Sequence, residues 1–70
     1  MMIREKVLNE LARSPRRARE LAPHIGLTRM ECIEVLHVME DEGLVTRRAY
    51  RDIGNMEFYD LWEVKKNEGK

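Results

Sequence analysis

The sequence predicts a small α+β domain, three helices followed by a two-stranded β-hairpin, occupying residues 1–64 with a polar tail at 65–70. Three observations point there. Apolar residues recur at helical spacing as far as Met39, two of the helical stretches meet at Gly26, and beyond Gly43 the pattern changes to two strand-like runs flanking Asp52-Ile53-Gly54-Asn55. An apolar fraction of 43% beside 37% charged residues fits a globular chain and not a disordered one. At 70 residues a single core is marginal, which predicts a homodimer.

The first helix is expected from Ile3, Val7, Leu8 and Leu11, with Arg4, Glu5, Lys6 and Glu10 between them. It should end near Arg13, where Ser14-Pro15 offers a cap and a first-turn proline for a second helix. That helix should run to Ala22 or His24 and bury Ala18, Leu21 and Ile25. Pro23 removes a backbone bond, a loss of ~3 kcal/mol in a regular helix interior, and predicts a kink or a tightened last turn. Gly26 supplies the positive φ of the turn. Thr28-Arg29-Met30-Glu31 is a capping box that starts the third helix. That helix should bury Cys32, Val35, Leu36 and Met39, and Gly43 should stop it. Strands are expected at Leu44–Arg51 and Met56–Val64.

With Ala18 as the first position of a helix-turn-helix, Ala22 falls at the fifth, where the helices cross closely, and Gly26 falls at the ninth. Leu21, Ile25, Leu27, Cys32 and Val35 then take the positions that pack helix on helix. Together with Glu20-Leu21-Ala22, Gly26-Leu27-Thr28, Leu36, Met39 and Gly43-Leu44-Val45, this resembles the winged helix-turn-helix superfamily, above all its small repressor branches of the ArsR and MarR type. The resemblance covers roughly residues 3–64, and Pro23 departs from its pattern. It implies that the hairpin is a wing and that DNA binding is the commonest use of the fold. It also implies that Tyr59 and Leu61 pack on the core while Phe58 and Trp62 face the other way, two sets that a one-residue slip would exchange. For Phe58 and Trp62 the sequence leaves core, dimer seam and base-stacking platform open.

Net charge is zero, but it is distributed in patches: +4 over residues 1–30, −5 over 31–43, +3 over 44–51, −4 over 52–64 and +2 over the tail. A polyanion would have to meet the second helix and the first strand of the hairpin. Arg13, Arg16, Arg17 and Arg19, with Arg29 at the start of helix three, are either phosphate contacts or a solvated basic face. Strand alternation puts Arg47 and Arg51 on one face and Arg48 with Tyr50 on the other. The resemblance implies that these wing arginines track a phosphate backbone or enter the minor groove, and the alternative is protection of an edge strand by charge.

By the same resemblance the outward residues of helix three, Thr28, Arg29, Met30, Ile33, Glu34 and His37, would read bases in the major groove. Their mixed character, with one cation, one acid and two apolar residues, equally fits a protein contact. The expected function is therefore double-stranded DNA binding by a homodimeric regulator of transcription or of a mobile element. The alternative is a protein-interaction module of the same fold, docking a protein partner through helix three and the wing.

Other classes find little support. Cys32 and His37 lie on one helix pointing apart, His24 is isolated, and no zinc spacing exists. Ser14 reads as a cap, no nucleophile–base or paired-carboxylate arrangement is evident, and no glycine-rich phosphate loop is present. No enzyme and no cofactor are expected. A single cysteine and the lack of a basic-then-apolar leader lead to a cytoplasmic expectation. No apolar run approaches the ~20 residues of a membrane span.

Overall fold

Two left-handed glycines and one capping box divide the chain into its helices. The computed structural model describes residues 3–65; Met1, Met2 and the tail from Lys66 onward lie outside the described residues. Helix α1 spans Ile3–Arg13, α2 Ala18–Ile25 and α3 Arg29–Asp41. Gly26 has φ 75°, and the amide of Leu27 donates to the carbonyl of Ala22 at 3.0 Å, which closes α2 beyond Pro23. Gly43 does the same for α3 at φ 81°, with the Leu44 amide on the Met39 carbonyl at 2.9 Å and the Gly43 amide on that of Glu40 at 3.0 Å. At the start of α3, the Glu31 amide donates to Thr28 Oγ1 at 3.1 Å and the Thr28 amide donates to Glu31 Oε1 at 3.0 Å. The capping box read from the sequence is therefore formed.

The sheet corrects the expected two-stranded hairpin. It has three antiparallel strands, β1 (Arg16–Arg17), β2 (Val45–Asp52) and β3 (Glu57–Val64), in the order β1-β3-β2. β1 lies between α1 and α2, where the sequence led to the first turn of α2. Its two residues pair with Trp62 and Leu61. A two-residue strand has no periodicity to read, because its partner lies far along the chain. The N-cap of α2 is thus Arg17 and not Ser14; the Arg17 amide donates to Glu20 Oε1 at 3.2 Å.

β2 and β3 pair along their whole length, from Val45 opposite Val64 to Asp52 opposite Glu57. The Lys65 amide adds one more bond, to the carbonyl of Leu44 at 3.1 Å. At the tip, Asp52 holds the turn by accepting from the Asn55 amide at 3.2 Å and from Asn55 Nδ2 at 3.1 Å.

The core draws on every helix and on the sheet. Val7 and Leu11 of α1 meet Leu21, Ala22 and Ile25 of α2 and Cys32, Leu36 and Met39 of α3. Val45 and Trp62 close it from β2 and β3. Here a second expectation is corrected. Trp62 is only 2% exposed and Val64 packs beside it, while Tyr59 and Leu61 lie half-buried on the opposite face of β3. Phe58 shares the face of Trp62 but lies nearer the hairpin tip and is 77% exposed. The two sets separate as expected, with their faces exchanged. Away from the sheet, Arg4 Nε donates to Glu42 Oε1 at 2.9 Å and ties α1 to the end of α3. This hydrogen bond holds the Glu42 carboxyl below the usual carboxylate range.

Candidate nucleic-acid interface

The two helix starts and the hairpin enclose a groove of ≈ 230 Å³. Arg17, Ala18 and Arg19 contribute to it from the start of α2, and Arg29, Ile33 and His37 from the outward face of α3. Phe58, Tyr59, Asp60 and Trp62 contribute from β3. The capping box and the glycine turn fix this geometry locally, because they set where α3 begins and which of its faces turns outward. The edge-to-face contact of His37 with Trp62, ring centroids 5.5 Å apart, fixes α3 against β3.

The arginines predicted from sequence fall into two electrostatic classes. Arg47 and Arg48 are held by carboxylates: Arg47 Nε is 3.3 Å from Glu40 Oε2 and its Nη1 is 3.3 Å from Asp60 Oδ2, while Arg48 Nε is 2.9 Å from Glu63 Oε2. Arg17 is loosely engaged, 3.9 Å from Glu57 and 4.4 Å above the ring of Tyr59. Arg19, Arg29 and Arg51 form no ion pair among the described residues, and the guanidinium of Arg51 lies 5.6 Å from the ring centre of Phe58. Arg16 stands opposite Trp62, with its Nε buried and without a hydrogen-bond partner among the described residues.

The outward residues of α3 also divide. Arg29, Ile33 and His37 share the groove, and His37 Nδ1 lies 3.5 Å from Glu40 Oε1. Met30 is 70% exposed and does not line the groove. Thr28 is exposed, but its hydroxyl is occupied by the cap. Glu34 belongs to another surface, an apolar groove of ≈ 260 Å³ between α1 and α3 lined by Ile3, Arg4, Val35, Val38 and Met39. The structure thus places Glu34 beside Arg4, apart from Arg17, Arg19 and Arg29.

The sequence left Phe58 and Trp62 open among core, dimer seam and base stacking, and it did not point to Asp60. The run Tyr59-Asp60-Leu61-Trp62-Glu63-Val64 carries apolar residues at both parities, so alternation alone assigns no inner face. The signal that resolves it is the pairing of Val45 with Val64, which puts Trp62 on the core side two residues earlier. No described helix is long and apolar enough to cross a membrane. No protein-family model matches the sequence, and no curated protein matches it either.

Proposed function

We propose that this chain is a winged helix-turn-helix protein that binds double-stranded DNA and acts as a dimeric regulator of transcription or of a mobile element in the cytoplasm. The observation that carries the reading is the convergence of Arg17, Arg19 and Arg29 on one groove beside the exposed face of α3. Arg19 and Arg29, without carboxylate partners among the described residues, are groups that release counterions when they meet phosphate, and Arg17 is only loosely held by Glu57. In this reading α3 enters the major groove, and Arg29, Met30, Ile33 and His37 face base edges. Arg16, Arg17 and Arg19 track one backbone, and Arg51 reaches the duplex from the hairpin. Arg47 and Arg48 add less than their number implies, since a phosphate must first displace Glu40, Asp60 or Glu63.

Titration of a labelled duplex at two salt concentrations tests the reading. Affinity should fall steeply with salt, and light scattering at tens of micromolar should give the mass of a dimer. Absence of salt-sensitive binding even at low ionic strength would remove the DNA assignment. A second reading then takes its place, a protein-docking module, favoured by the exposure of Met30 at 70% and Val38 at 50% on α3.

A further inference from the structure

The exposed ring of Phe58 has no role in the duplex contacts just described, and its position defines one for it. It stands at the hairpin end of the groove, 77% exposed, on the face of β3 that looks toward α3. The guanidinium of Arg51 approaches it from the paired strand, 5.6 Å from the ring centre. Arg19 and Arg29, with no ion pair among the described residues, lie across the same groove. Asp60 also lines the groove, but Arg47 pairs with its carboxylate, so a flat apolar ring beside unpaired guanidiniums remains, a stacking platform for a nucleobase with cations for the attached phosphates. An intact duplex cannot use it, because its bases present only edges and keep their faces stacked on one another. At ≈ 230 Å³ the groove lies below the range of drug-sized pockets, a size that suits a single base.

We propose that this groove holds one unpaired base of a duplex–single-strand junction, stacked on Phe58 with its phosphates on Arg19 and Arg29. The protein then recognises DNA ends, or sites that expose an unpaired nucleotide, in preference to continuous duplex. This inference rests on the DNA reading above and narrows its substrate.

Three labelled probes of one sequence test it with the full chain: a blunt duplex, the same duplex with a short oligothymidine overhang, and one whose overhang is abasic. The abasic probe keeps the added phosphates and removes the faces that stack. The thymidine overhang should bind about five- to a hundredfold tighter than the abasic one. Phe58→Ala should remove that gain and Phe58→Trp should retain it, with the melting temperature of both variants near wild type. Equal affinity for thymidine and abasic overhangs overturns the proposal while leaving duplex binding in place; it is the outcome expected if a protein side chain fills the groove. A gain that survives Phe58→Ala overturns it as well. Binding to none of the three removes the DNA reading itself.

Discussion

The imidazole of His37 and the indole of Trp62 meet edge to face, with ring centroids 5.5 Å apart and planes at 89°. The contact joins α3 to the central strand of the sheet. The same indole has the guanidinium of Arg47 5.6 Å from its ring centre, and Glu40 connects that guanidinium back to His37. One buried aromatic therefore sets the spacing between the helix and the hairpin, and with it the width of the groove.

The first prediction follows from that burial. Trp62→Ala should lower stability by ~3–5 kcal/mol, the range for removing a buried aromatic and enough, in a chain this small, to leave little folded protein. His37→Ala should cost only the edge contact, about 0.5–1.5 kcal/mol. Urea unfolding followed by far-ultraviolet circular dichroism measures both. Equal losses in the two variants would show that the indole is not the anchor.

The second concerns Gly26. At φ 75° its backbone disfavours any L side chain, yet a Cβ placed there meets nothing within 4 Å. The cost of substitution is thus conformational and not steric. Gly26→Ala should destabilise by about 1–2 kcal/mol, Gly26→Val by more, and Gly26→Asn by less, since asparagine tolerates the left-handed region. Gly54→Ala is the control: its Cβ would stand at ordinary contact distance, 3.5 Å from Asp52 Oδ1, and should change little. Thermal melts of the four variants should fall in that order.

The third uses the buried thiol. Burial pushes Cys32 up to about 11, so in the folded protein it stays a neutral thiol at neutral pH. Its unfolded-state value is about 8.5. The folded value is the higher, so the stability gained by keeping the thiol protonated is complete below pH ~8.5 and is lost as pH rises toward the folded value. Native protein at pH 8 should react slowly with thiol reagents and rapidly in urea. The urea midpoint should decline less steeply above pH ~8.5 in Cys32→Ala than in wild type.

The fourth separates the two classes of arginine. Replacing Arg19 and Arg29 with alanine should flatten the slope of log affinity against log salt by about two, close to one for each phosphate no longer neutralised. Replacing Arg47 and Arg48 should flatten it by less, because their carboxylate partners already neutralise them. The acidic remainder of helix three, taken alone, would favour the hairpin arginines over Arg29, and the ion pairs of Arg47 and Arg48 reverse that weighting. Glu40→Gln should then raise affinity modestly by loosening Arg47, which Asp60 still holds. A larger effect from the Arg47 and Arg48 pair, measured by anisotropy over a salt series, would give the hairpin the lead.

Local chemistry was legible in the sequence wherever a few adjacent residues complete their own hydrogen bonds. Thr28 and Glu31 satisfy each other's amides, Gly26 and Gly43 take the left-handed positions, and the periodicity of Val7, Leu11, Leu21, Leu36 and Met39 marks the buried helical faces. These features depend on neighbours within about one helical turn, so the residues themselves determine three helices, their order and the hairpin that follows. Pairing between distant segments is not written that way. Arg16–Arg17 became a strand only because Leu61 and Trp62 offered an edge, and the inner face of β3 was chosen by its register with β2. The tertiary structure also decided which arginines remain without carboxylates and which are neutralised. Charge along a chain records how many cations exist, whereas electrostatic pairing is fixed by distances that only folding sets.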